Sequence, residues 1–211
     1  SFQLEPWQVA GFNQAFRSLI PESVAGANSA AEFRSHGLSL EHRFPSRTYF
    51  SISGEILESE VNRKLGAFDI VDFVASGFTT MRERLNFEEK SLALSAHQLI
   101  GNEWAAGATY RVSRATLKDD FLDVSDAVAS DSSFPARTRI EGTLQTLQAH
   151  VIYQNARGLF ARLDSTWTHQ QNKGYVPARA AEDFWHLDLM AGCRLPHRRV
   201  VFTAGILNLT D

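Results

Sequence analysis

The sequence contains no run of eighteen apolar residues, so no helix long and apolar enough to cross a bilayer is expected. It has one cysteine, Cys193, which excludes an internal disulfide and a cysteine-based metal site. Cys193 sits in an apolar alternation and reads as a small hydrophobe. The net charge is only −3, so no basic surplus points to a nucleic-acid partner. The start, Ser1-Phe2-Gln3-Leu4-Glu5, lacks the basic region and apolar core of a signal peptide. If the protein is exported, the chain is expected to be a fragment whose N-terminal part is missing. No Gly-x-Ser-x-Gly elbow and no His-Glu-x-x-His pair occur. Gly66, Gly77 and Gly107 belong to no phosphate-binding loop. No enzyme activity, cofactor or metal is therefore expected.

The first absence does not exclude a membrane. A barrel strand needs only about 9–11 residues, alternately apolar and polar, and so never looks strongly hydrophobic on average. Such alternation is what the chain has. Four times, two alternating stretches are joined by a short turn: Phe44–Arg47, Ile100–Glu103, Asn155–Gly158 and Pro196–Arg199. Polar connections over roughly 60–86, 115–138 and 170–183 separate the pairs. Short turns at one end and long loops at the other are the asymmetry of an outer-membrane barrel.

Successive side chains of a strand point to opposite faces, so period-two hydrophobicity assigns each residue to a face. Leu38 and Leu40 oppose Ser39, Glu41 and Arg43, and Phe50, Ile52 and Ile56 oppose Ser51, Ser53 and Glu55. Leu92 and Leu94 oppose Ser91, Ser95 and His97, and Trp104, Tyr110 and Val112 oppose Thr109, Arg111 and Ser113. Leu147, Val151 and Tyr153 oppose Thr146, Gln148 and His150, and Leu159, Leu163 and Trp167 oppose Arg162, Asp164 and Thr168. Trp185, Leu187, Leu189 and Cys193 oppose His186, Asp188 and Arg194. The last strand, Val200 to Leu209, is apolar on both faces, and the pattern does not assign it. The expectation is that Leu38, Leu92, Leu147, Leu163 and Leu189 face lipid while Ser39, Arg111, Arg162 and Asp188 face a wet lumen.

On the polar face, Arg111, Arg162, Asp164, Asp188 and Arg194 are the lumen-lining candidates. They would line water, meet a plug, or bond across strands. His186 and Asp188, two apart on one face, could in principle hold a metal, but a lumen-facing polar pair is the simpler reading. Within the long connection 62–86, Arg63, Lys64, Arg82 and Arg84 are the candidates for ligand capture, since loops on a rigid scaffold carry binding. Phe44, Tyr49, Trp104, Tyr153 and Phe160 lie beside short turns, and Tyr110, Trp167, Phe184 and Trp185 towards the long loops. Two such rings would form interfacial girdles. Residues 1–32 read as a strand or an external loop, with 20–31 a loop either way.

The stretch Asp183-Phe184-Trp185-His186-Leu187-Asp188-Leu189-Met190-Ala191-Gly192-Cys193-Arg194-Leu195-Pro196, then Arg198-Arg199-Val200, closes with Gly205-Ile206-Leu207-Asn208-Leu209-Thr210-Asp211. It resembles the penultimate hairpin of TonB-dependent receptor-type barrels, in which an aromatic-Arg-Phe-Pro-like turn leads to an Asn-Leu-Phe-Asp-like strand end. Here Cys193 stands for the usual aromatic, Leu195 for the Phe and Thr210 for the later Phe. Leu4-Glu5-Pro6 resembles the Leu-Lys-Pro-Glu element of the same barrels. A closer resemblance is to outer-membrane proteins in which periplasmic tetratricopeptide repeats precede such a barrel. As a motif the resemblance covers about 30 residues, and as a hairpin pattern most of the chain. No plug domain and no energy-coupling box is present, and the chain ends about one loop and one strand before the family pattern does.

The resemblance implies an all-β, antiparallel up-and-down meander of about eight long strands, one partial barrel domain over residues 1–211. It implies a place in the cell outer membrane, contact with outer-membrane lipid, and uptake of a small-molecule ligand. Energy would come from an inner-membrane complex acting through the missing N-terminal part. Two other functions fit the pattern: an export or anchoring pore linked to periplasmic repeats, and a soluble β-sandwich binding module.

Overall fold

The computed structural model describes residues 32–71, 74–125, 136–195 and 200–209. Its regular elements are eight strands: β1 (Glu32–Arg43), β2 (Thr48–Val71), β3 (Val74–Ile100), β4 (Trp104–Phe121), β5 (Arg137–Gln154), β6 (Leu159–Lys173), β7 (Glu182–Arg194) and β8 (Val201–Ile206). Each pairs antiparallel with the next in one open sheet, in chain order. The expected meander is therefore present. A sandwich needs two stacked sheets, and the described strands make one. The readings of residues 1–31, of the turn at 196–199 and of Thr210 and Asp211 lie outside the described residues.

The three short turns among the described residues are where the sequence puts them, and their chemistry is local. Arg47 has φ 63° and donates from its amide to the Phe44 carbonyl at 3.1 Å. Gly158 has φ 94°, and a Cβ there would strike the Arg194 carbonyl on the neighbouring strand. Only glycine allows that approach.

The long connections differ from expectation. Residues 60–86 form no loop: β2 and β3 run on for 24 and 27 residues and remain paired to Val71↔Val74, with one register shift at Asp69/Ile70. β4 runs to Phe121 and β5 begins at Arg137, so the connection expected over 115–138 shortens to 122–136, and β6 and β7 leave only 174–181 between them. These stretches look like loops because their outward residues are charged. Yet an alternation persists within them at Leu57, Val61, Leu85, Phe87, Ala115 and Leu117, with its phase inverted.

The ladders are staggered. The last paired residues at the four short turns are Arg43↔Tyr49, Ile100↔Trp104, Gln154↔Phe160 and Arg194↔Val201. Followed across the pairings Tyr49↔His97, Trp104↔Tyr153 and Phe160↔Gly192, these ends descend three, one and two rows. That is about one residue per strand. With ~3.3 Å rise and ~4.8 Å between strands, the tangent gives a tilt of roughly 35°. Barrel closure demands strand tilts of about this size.

Candidate membrane-facing wall

The register settles which residues share a face. Leu40↔Ile52↔Leu94↔Tyr110↔Leu147↔Trp167↔Trp185 form one continuous row across seven strands. Ala106↔Val151↔Leu163↔Leu189↔Ile206 form another. We call this the belt face. It leaves large apolar side chains open, with Leu38 82% and Trp185 53% exposed. The pairing of Cys193 with Phe202 and of Leu189 with Ile206 also resolves β8: Phe202, Ala204 and Ile206 lie on the belt face.

The belt has a level upper edge. On β2 to β7, counted from the last paired residue at each short turn, the last apolar belt-face residue lies seven to nine positions along, at Ile56, Leu92, Val112, Leu147, Trp167 and Trp185, whereas on β1 it is Leu38, five along. Two positions beyond come Glu58, Lys90, Arg114, Gln145, His169 and Asp183. At a ~35° tilt, seven to nine residues rise about 19–24 Å, close to the ~25 Å apolar band of an outer-membrane barrel. The ladder rows run obliquely to this edge. Only after correction for stagger does it become level.

Above that edge polarity inverts. The belt face carries Glu58, Glu60, Asn62, Lys64, Arg84, Glu88, Lys118 and Arg139. The reverse face there holds a buried cluster of Val61, Leu85, Phe87, Ala115 and Leu117, with Leu57, Ile140 and Tyr175 packed against it. The outward face of the strands is thus apolar for their first eight or so residues and charged beyond. Burial of this cluster removes apolar surface from water, which is why the strands continue where loops are expected.

The lumen-lining candidates all fall on the reverse face. Arg162 grips Asp164 with two hydrogen bonds of 2.6 and 2.7 Å. Asp164 is paired in register with His150 and Asp188. His186 Nε2 is 2.7 Å from Asp188 Oδ1, which also accepts from the Asn208 amide at 2.9 Å. The Arg194 guanidinium lies 4.7 Å over the Phe160 ring. Arg111 is exposed, between Ala93 and Thr146. No cluster of three metal-ligating side chains occurs among the described residues.

The four ligand-capture candidates do not form one surface. They sit on paired strands, Arg63↔Glu83 and Lys64↔Arg82, so alternation sends them to opposite faces. Arg63 turns to the reverse face and pairs with Glu83, both nearly buried. Lys64, Arg82 and Arg84 are on the belt face above the edge. There Arg82 binds Asp123 at 2.6 Å and Arg84 approaches Glu60 at 3.6 Å. Of the expected girdle aromatics, Trp104 and Tyr153 pair at the lower end, with ring centroids 4.6 Å apart, and Trp167 and Trp185 at the upper. Tyr49, Phe160 and Phe184 pair with His97, Gly192 and Thr168 on the reverse face instead.

Sequence reasoning missed two constellations. On the reverse face His97 and His150 stack with centroids 5.4 Å apart across Gly107, which lies between them in register. A Cβ at 107 would collide with both rings. In the upper sheet Asp119 joins the Arg63–Glu83 pair. Burial, then the Glu83 charge and a shared hydrogen bond with Glu83, push its carboxyl up to about 6, while Arg63 opposes. Both follow from cross-strand register, which alternation alone does not supply.

No family model matches the sequence. No curated protein matches it either. Among solved structures, a chain of the FpvAI–pyocin S2 complex matches with a TM-score of 0.51 at 14% identity. The match covers 83% of this chain and 26% of that one. At that identity the likeness is one of fold. This chain therefore shares the fold of the matched part of that structure, and spans about a quarter of the chain it matches.

Proposed function

We propose that this chain is part of the wall of an outer-membrane β-barrel receptor of TonB-dependent type, which takes up a small solute. The observation that carries this is the level edge of the belt on β2 to β7: an apolar face about 19–24 Å tall, continuous over those six strands and ending at one height. In hydrocarbon every backbone polar group needs an internal partner, and a closed barrel supplies it. β1 and β8 pair here only with β2 and β7, so closure requires further strands. The barrel wall performs no chemistry; uptake would be energised by an inner-membrane complex acting on a part of the protein outside this chain.

The test is labelling of single cysteines in the complete protein, in outer membranes, by a membrane-impermeant maleimide, with Cys193 replaced by alanine. Positions 94, 163 and 189 should stay unlabelled, and positions 95, 111 and 188 should label. Equal labelling on both faces would refute the wall. Uptake itself is tested by solute accumulation in cells, which should stop when the proton gradient of the inner membrane is dissipated.

A further inference from the structure

His97 on β3 and His150 on β5 are separated by a whole strand, so their backbones stand about 10 Å apart. A side chain on the middle strand would ordinarily keep two such residues from meeting. The middle position is Gly107, in register with both. The two rings lean over it from either side until their centroids are 5.4 Å apart, at 30° to one another. His97 Nδ1 and His150 Cε1 both lie within 3.0 Å of the point that a Cβ on residue 107 would occupy. Cε1 is the carbon between the two nitrogens of its ring, so nitrogens of both histidines converge on one gap. Among the described residues no hydrogen bond or ion pair holds either ring, whereas His169 and His186 are bonded to Asp183 and Asp188. Both rings are half-buried on the reverse face. The row continues through Asp164 and Asp188 on the next two strands. Packing alone would be served by a side chain at 107. The sheet instead leaves two imidazoles facing one gap with their polar atoms unengaged.

We propose that His97 and His150 bind a divalent transition-metal ion at this gap. Neutral imidazole ligates through one ring nitrogen at about 2.0–2.1 Å, so two nitrogens on one ion stand at most about 4.2 Å apart. Rings with centroids 5.4 Å apart reach that separation by turning about their own Cβ–Cγ bonds, a soft torsion. Imidazole selects Cu²⁺, Ni²⁺ and Zn²⁺ over the oxygen-seeking Mg²⁺ and Ca²⁺. Two protein ligands leave the other positions to water or to groups that arrive with the ion. Such a site exchanges its metal, unlike a structural site closed by four side chains. Asp164 and Asp188 place carboxylates on the His150 side of the row, although Arg162 is turned to Asp164. No short histidine spacing reveals the pair, because it is assembled across three strands. The inference stands on the register and does not depend on what lies against the belt face.

The complete protein, in detergent micelles and with Cys193→Ala so that no thiol competes, is titrated with Cu²⁺ by calorimetry and followed by electron paramagnetic resonance. His97→Asn/His150→Asn should hold one Cu²⁺ fewer than its parent, and the signal lost should carry nitrogen hyperfine splitting. His169→Asn/His186→Asn should keep that ion. Gly107→Ala retains both histidines but sets a methyl where the rings meet, and should weaken binding by about tenfold or more. Ni²⁺ should compete for the same site, less tightly than Cu²⁺. The asparagine pair relieves crowding, and its thermal midpoint checks folding. An unchanged count of ions in that pair overturns the proposal. So does unchanged affinity in a folded Gly107→Ala protein, which would show that the rings do not converge. Displacement of the ion by Mg²⁺ at equal concentration would assign it to carboxylates and overturn the proposal too. None of these failures touches the wall reading, which cysteine labelling tests.

Discussion

Trp167 on β6 and Trp185 on β7 face each other in register on the belt face, with ring centroids 6.5 Å apart. They stand seven and nine positions above their turns, at the level edge, while Trp104 stands at the foot of β4. Indole rings settle at the boundary between hydrocarbon and water. Proteins retaining only Trp185 or only Trp104 should both be quenched by brominated phosphatidylcholine. Bromines near the headgroup should quench more than bromines near the chain end. Equal quenching by both lipids, or none, would place these residues elsewhere.

Leu94 and Leu163 lie within the belt, and the latter is 38% exposed. Arginine at either position should destabilise the inserted protein by about 2–4 kcal/mol in urea unfolding from vesicles. Ser95→Arg, one residue along and on the other face, should cost far less. Comparable losses at 94 and 95 would mean that the two faces do not differ in solvent.

Gly107 has neighbours on both sides because imidazole rings from β3 and β5 cross over it. Gly107→Val should displace one ring and cost about 1–3 kcal/mol, as overpacking does. The same change in a His97→Gly/His150→Gly background should cost little. A loss that persists in that background would trace the cost to the backbone instead of the rings.

How much of this was legible in the sequence follows from what period two encodes. Leu92, Leu94, Tyr110 and Leu163 announced their face because their partners in alternation are polar. Val201 to Ile206 did not, because both faces are apolar, and only the pairing with β7 decides. The stretch Glu60-Val61-Asn62-Arg63-Lys64 read as a loop because its outward residues are polar or charged and its inward ones include Arg63. The same alternation is present there with its phase reversed, as the proposed wall requires where water and not lipid lies outside. Arg63 and Arg82 looked alike as loop cations. Parity and register send one into a buried pair and the other to the surface.

That divergence has a measurable consequence. Arg63 and Glu83 have side chains 9% and 3% exposed. Glu83→Ala removes the carboxylate hydrogen-bonded to this nearly buried guanidinium and leaves Asp119 beside it, and removal of one partner of a buried pair costs up to roughly 3–5 kcal/mol. Arg82→Ala removes an exposed pair with Asp123, and its unfolding midpoint should match that of the unaltered protein, as exposed pairs contribute little. Equal effects of Glu83→Ala and Arg82→Ala would contradict the face assignment.

Asp119 makes the upper sheet sensitive to pH. Its carboxyl is raised from 3.8 to about 6 by burial and by Glu83, outside the apolar belt. The folded state therefore holds this proton more tightly than the unfolded chain does. Its contribution is fully present below the ordinary carboxylate range. As pH rises through about 6 it is lost, because a second negative charge must then form beside Glu83. Protection of the amides of Leu85, Phe87 and Leu117, corrected for intrinsic exchange, should fall between about pH 4 and pH 7. In Asp119→Asn, which keeps the shape without the proton, the fall should be much smaller. Protection that rises with pH across this window would show that Arg63, not burial and Glu83, governs the carboxyl.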